Sequence, residues 1–409
     1  MTSSSPPSTT THKWEFKPRF RRHAFGWKSQ PAITRIKQAI AEIKKIARKD
    51  PATAAEGAVD FLERLSPALE HVDSSSGSIG AAVGHAIAEL VPIIASAPAD
   101  AQKRASWLDR LFDAHQADEI PYIEQLADHW GELCASKALA STWADRLLGI
   151  TRMALSPYKS LRGYFHGTSA CLSALYRAER FDELIDLLRV DTIWPYKRWA
   201  VRALVAKGQQ AEAIRYAESL RSPWASDHQI DSACEEILLS SGLVDEAYAR
   251  YGVRANRGGT YLATFRAVSK KYPHKTAREI LADLVKTTPG DEGKWFAAAK
   301  DAGLYEEALL LAGRTPCDPK TLSRAARDHA VTEPAFAVGA GMLALQWLAL
   351  GYGYEITSVD VWDAYRATLS AADRLGTSAE VKERVRNIVA AENARDRFVT
   401  KVLTGELGL

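Results

Sequence analysis

The sequence predicts an all-α protein built from helical hairpins, and three observations carry that prediction. Apolar residues recur at steps of three and four from Gln30 almost to the C-terminus. Long alternating Val/Ile/Thr runs, the mark of half-buried strands, are scarce. A short phrase rich in Gly and acidic residues returns through the second half, as repeated helical units require. The 409 residues are 46% hydrophobic and 25% charged, which excludes a disulfide scaffold, a collagen-like chain and a wholly disordered one. That length suits two or three domains, or one elongated repeat array.

Residues 1–12 have no aliphatic periodicity and read as a disordered tail. Charge then becomes uneven. Residues 13–49 hold twelve Lys/Arg and only two acids, Glu15 and Glu42, a balance of +10. The remaining 41 basic and 48 acidic side chains leave the body at −7, so a net charge of +3 conceals a basic arm on an acidic body. The first helix opens at Pro31, with Ile33, Ile36, Ile40, Ile43 and Ala47 on one face. Asp50-Pro51 stops it and caps a second helix over 52–72, which ends in the turn-forming Asp73-Ser-Ser-Ser-Gly77. A third helix over 79–97 is expected to break or kink at Pro92. Further helices are expected at 101–115, 120–135 and 138–155.

The recurring phrase reads Glu179-Arg-Phe-Asp-Glu-Leu184, Gly208-Gln-Gln-Ala-Glu-Ala213, Gly242-Leu-Val-Asp-Glu-Ala247 and Gly303-Leu-Tyr-Glu-Glu-Ala308. The steps are 29, 34 and 61 residues, so one unit is skipped near residues 272–276, where Thr276 and Glu279 have capping-box spacing. Glycine permits the positive φ of a helix C-terminus, and the acids then favour the next N-terminus. Over residues 165–315 these phrases resemble tetratricopeptide repeats, whose inter-helix turn is matched at Gly208, Gly242 and Gly303. The family's Trp, Leu, Gly and Tyr positions in the first helix are not regularly present. The resemblance implies a right-handed solenoid with a concave partner-binding face, and no chemistry. The expected organisation is a tail (1–12), a basic arm with the first amphipathic helix (13–49), a helical bundle (50–160), repeats (161–330) and capping helices (331–409).

The basic arm interleaves Trp14, Phe16, Phe20, Phe25 and Trp27 with six cations over residues 13–28. Clustered Lys/Arg attract phosphates through counterion release, and aromatic planes stack on unpaired bases. Arg19, Arg21, Arg22, Lys28, Lys44, Lys45, Arg48 and Lys49 are therefore the expected nucleic-acid contacts, DNA or RNA, with Trp14, Phe20 and Trp27 as stackers. Two other readings stay open: the aromatics fold back on the first helices, or the arm meets an anionic membrane or an acidic protein. In the repeats, Trp194, Tyr196, Arg198, Trp199 and Arg202 form a candidate partner-binding strip. Trp194, Trp199 and Trp224 equally suit gaps between hairpins, and packing is the favoured role for them.

The uncharged run at 334–354 reads as a buried helix, interrupted by Gly339, Gly341, Gly351 and Gly353, rather than as a membrane span. The sequence holds no His-Glu-x-x-His, Gly-x-Ser-x-Gly or Walker-type motif, so no cofactor or metal is expected. His85 and Glu89, four apart, are too few for a metal site. Four scattered cysteines (Cys134, Cys171, Cys234 and Cys317) suit a reducing cytosol. The functional expectation is a cytoplasmic, non-enzymatic scaffold whose arm contacts nucleic acid while its repeat face docks a partner. The alternatives are a helical-repeat enzyme acting on DNA bases, with Asp182, Asp186 or Asp191 beside Trp194 and Trp199, and a purely protein-binding scaffold.

Overall fold

The computed structural model describes residues 12–158, 162–190, 193–221, 227–392 and 397–408; the expected tail at 1–11, Trp224 and Asp191 lie outside them. Among the described residues every regular element is helical. The chain divides into two compact units, Met1–Ser226 and Asp227–Leu409.

The first unit carries α1 (Ser29–Ala47), α2 (Pro51–Leu69), α3 (Ser78–Ser96), α4 (Ala101–Gln116), α5 (Trp130–Leu133), α6 (Lys137–Ala154), α7 (Thr168–Arg177), α8 (Phe181–Leu187), α9 (Trp194–Ala206) and α10 (Gln210–Ser219). Ile36, Ile40 and Ile43 of α1 are buried as the stripe predicts, against α2 and α3. Asp50 caps α2 by accepting from Thr53 N–H. α3 runs through Pro92 without a break. By length and composition α3 is apolar enough to cross a membrane, yet Ile79, Val83, Ile87, Leu90 and Ile94 are buried in the core.

The helix expected at 120–135 is instead a turn, a 3-10 stretch (Glu124–His129) and the short α5. The reason is the buried Asp118. Its carboxylate accepts from Ser66 Oγ and from the N–H groups of Tyr122 and Ile123, which fixes a turn where the helix would have begun. Burial pushes that carboxyl above the usual range.

The second unit carries α11 (Asp227–Ser240), α12 (Val244–Ala247), α13 (Tyr261–Lys271), α14 (Ala277–Lys286), α15 (Phe296–Asp301), α16 (Tyr305–Arg314), α17 (Pro319–His329), α18 (Pro334–Ala349), α19 (Ser358–Leu375), α20 (Ser378–Ala390) and α21 (Phe398–Leu407). The uncharged run becomes α18, which packs against α16, α17, α19, α20 and α21. Gly339 and Gly341 do not break it, because they are close-approach points. A Cβ at Gly341 would overlap Thr368 of α19, and one at Gly339 would press on Leu309 of α16.

Each recurring phrase sits at a turn between paired helices: α7/α8, α9/α10, α11/α12 and α15/α16. Gly208, Gly242 and Gly303 have φ of 78°, 76° and 72°. Each turn closes with two backbone bonds, as in Gly208 N–H to Val205 C=O and Gln209 N–H to Leu204 C=O (both 2.9 Å). The skipped unit is the α13/α14 pair, where Thr276 and Glu279 form the reciprocal capping box.

Candidate functional site

The basic segment before α1 is folded onto the first unit. Trp14, Phe16 and Phe20 are 4%, 2% and 1% exposed, so two of the three expected base-stackers, Trp14 and Phe20, are core residues. Phe16 and Phe20 meet Phe61 of α2 edge-on, with ring centroids 5.4 and 4.9 Å away. Glu42 on α1 pins the backbone by accepting from Glu15 N–H (2.8 Å) and Phe16 N–H (3.3 Å). Only Trp27, 73% exposed, keeps a free aromatic face.

Several cations of this region are already engaged. Lys17 pairs with Asp60, Arg19 with Glu15 (3.8 Å) and Arg22 with Glu70 (3.5 Å). Lys44 pairs with Glu89 (2.5 Å), which holds that carboxyl below its usual range. Arg21 donates to Pro18 C=O (2.9 Å). Lys28, Lys45, Arg48 and Lys49 are exposed, with no ion-pair partner among the described residues. At helical spacing Lys37 and Lys44 fall on one line of α1 with Lys45 beside it, and Arg48 and Lys49 follow directly after the end of the helix.

A second feature is a groove of about 710 Å³ in the same unit, with walls from the end of α3, α5, α7 and α9. It brings together Arg198, Trp199 and Arg202 of the predicted strip, and adds Tyr176, Arg177 and Asp128. Trp194 and Tyr196 do not line it; Trp194 is buried and Tyr196 half-buried against the core. Trp199 is also in the core, 2% exposed, so it supports the groove and does not present a face to a partner. Packing, the favoured role for these tryptophans, is the role they have.

The groove is held by a close contact absent from the sequence reading. Gly131 N–H donates to Ser173 Oγ (2.9 Å), and that hydroxyl donates to Asp128 C=O (2.8 Å). A Cβ at Gly131 would overlap Ser173 C=O, so only glycine lets α5 settle on α7. Asp128 then reaches Arg198 (2.5 Å), whose Nε donates to Pro195 C=O. Arg177 donates to Ala135 C=O (3.0 Å). The Arg202 guanidinium lies 4.9 Å from the Trp199 ring and 5.6 Å from Tyr176, exposed and with no carboxylate partner among the described residues. A guanidinium stacked on aromatic rings keeps its N–H fork free for a planar oxyanion.

Of the carboxylates considered for base chemistry, Asp182 and Asp186 are elsewhere, and Asp191 lies outside the described residues. Asp182 is 84% exposed and pairs with Lys207, and Asp186 is 65% exposed and pairs with Arg189. Among the described residues no three His, Cys, Asp or Glu side chains group as metal ligands. All four cysteines are buried; burial pushes the Cys134 and Cys317 thiols up to about 12 and Cys171 to about 11. No family model matches the chain. No curated protein matches it either.

Proposed function

We propose that this protein is a non-enzymatic helical scaffold that docks a partner chain in the α7–α9 groove and contacts nucleic-acid phosphates with the unpaired cations on and flanking α1. The observation that carries the docking reading is Arg202, stacked on Trp199 and Tyr176 and with no carboxylate partner among the described residues. An acidic side chain from a partner would complete its hydrogen bonds, and the aromatic support fixes its orientation beforehand. The succession of hairpins with phrase-marked turns supports a solenoid that presents such a face, and buried thiols support a reducing, cytoplasmic setting.

The nucleic-acid contact rests on Lys28, Lys45, Arg48 and Lys49. It would be sequence-indifferent and salt-sensitive, with at most Trp27 as a stacker. Truncating the first 49 residues is a poor test, because it would remove Trp14, Phe16, Phe20 and α1 from the core. The better one titrates labelled single-stranded RNA and double-stranded DNA across a salt series, comparing the intact chain with a Lys45→Glu, Arg48→Glu, Lys49→Glu variant. The expected result is binding that weakens steeply with salt and loses about tenfold or more in the variant at low salt. Equal affinity in both removes these cations as the contact, and no binding by either chain leaves a purely protein-binding scaffold.

A further inference from the structure

The second unit contains a groove of its own, about 640 Å³, between α17 and α19. That volume lies in the range of about 300–1,000 Å³ that holds small ligands or a few peptide residues. Its floor is small: Ser323 from α17 and Ala330 just after it, Ala367 and Ser370 from α19. Its walls are charged, with both signs present. Arg324 donates only within its own helix, to Lys320 C=O (3.1 Å) and Thr321 Oγ1 (3.1 Å). Arg366 stacks on Trp362 (5.3 Å) and has no carboxylate partner among the described residues. Asp363 is exposed and likewise unpaired among them.

Lys320 closes one end. Its ammonium donates to Glu355 C=O (3.0 Å) and lies 3.7 Å from Asp360. The carbonyl it holds belongs to the α18–α19 loop, one residue from Tyr354, which is 80% exposed. Glu355 itself has φ 48°, a left-handed conformation that a non-glycine residue keeps only when its surroundings impose it. The loop is therefore a fixed rim with an aromatic side chain in solvent, not a slack connection.

From these features we infer that the α17–α19 groove binds a short segment of a partner polypeptide, one carboxylate side chain going to Arg324 and Arg366 and a neighbouring cation to Asp363. Charge complementarity selects this occupant. Asp360 is already held by Lys320 and by Thr357 at the start of α19, so the unpaired acid is Asp363: a phosphate backbone would be drawn to the arginines but repelled by it, whereas a peptide can present both signs a few ångströms apart. Arginine, which lines this groove, is also among the side chains that dominate protein–protein contacts. The site lies in the second unit and does not depend on the α7–α9 groove.

The probe is a fluorescein-labelled hexapeptide of alternating glutamate and lysine, titrated by anisotropy with the full chain at low ionic strength. A chain carrying Arg202→Gln is measured in parallel, which takes the α7–α9 groove out of the readout. Arg324→Gln or Arg366→Gln should each weaken binding by about threefold to fivefold in both backgrounds, the size of one partly exposed ion pair. Asp363→Asn should weaken it by about twofold to threefold on the same grounds. A single-stranded oligothymidylate serves as the second probe, and removing Asp363 could only favour a polyanion. If Asp363→Asn tightens binding of both probes, or if the peptide does not bind, or binds unchanged in all three variants, the inference is overturned. The opposite effects expected of Asp363→Asn on the two probes cannot arise from a misfolded variant.

Discussion

Trp14 lies over the α2 backbone at Gly57, where a methyl group would overlap its indole ring. That contact turns the aromatic run before α1 from a candidate stacking surface into core, and Gly57 has no other evident reason to interrupt a helix interior, where glycine costs about 1 kcal/mol relative to alanine. By propensity alone Gly57→Ala would stabilise α2. With Trp14 seated there, it should instead destabilise the first unit by about 1–3 kcal/mol, the cost of overpacking. Urea unfolding followed by tryptophan emission would register this as a lower midpoint. An unchanged or raised midpoint would mean that the segment at 13–28 does not pack where it is described.

Glu179 occupies, at the α7–α8 turn, the position that Gly208, Gly242 and Gly303 fill in other hairpins, with φ 60° and the same closing bonds to Tyr176 and Leu175 carbonyls. Its pair with Lys137 is more than half exposed on both sides and offsets little of the left-handed strain. Glu179→Gly should therefore raise stability by about 0.5–1 kcal/mol, read as a higher melting temperature, while Gly208→Ala, with the same φ problem created anew, should lower it. Elements of this kind were legible in the sequence because their cause is local: the α1 stripe, the Asp50 cap, the turn glycines and the Thr276–Glu279 box each act within a few residues. What was not legible depends on distant partners. Whether Trp14 stacks on a base or on a helix is decided at Gly57, more than forty residues away. The shape of the α7–α9 groove is decided by Gly131 meeting Ser173, and the loss of the helix expected at 120–135 by Asp118 capturing two amides. Three of the five residues expected on the repeat strip meet in one groove because α9 spacing puts Arg198 and Arg202 one turn apart, while Trp194 points into the core.

The charge asymmetry along the chain also changes meaning at the scale of the whole molecule, since part of the basic segment is neutralised by acids of the bundle: Lys17 by Asp60, Arg22 by Glu70, Lys44 by Glu89. The repeated phrases run on both sides of the division between Met1–Ser226 and Asp227–Leu409. Two physical pictures follow from that, and they differ in how stability is distributed. In a nearest-neighbour array each hairpin leans on the next, so a cut inside it leaves a bare apolar face and frays both products. In a molecule of two units with separate cores the same cut costs little. One hydrophobic cluster from Trp14 to Ala203 lies wholly in the first unit, and α18 packs against five helices that all belong to the second, which favours separate cores. Residues 1–226 and 227–409, produced apart, should therefore each unfold in one cooperative, helical transition by circular dichroism. Mixing them should leave both melting temperatures unchanged. If 227–409 is unfolded alone and gains structure on mixing, the phrases mark a single continuous array after all.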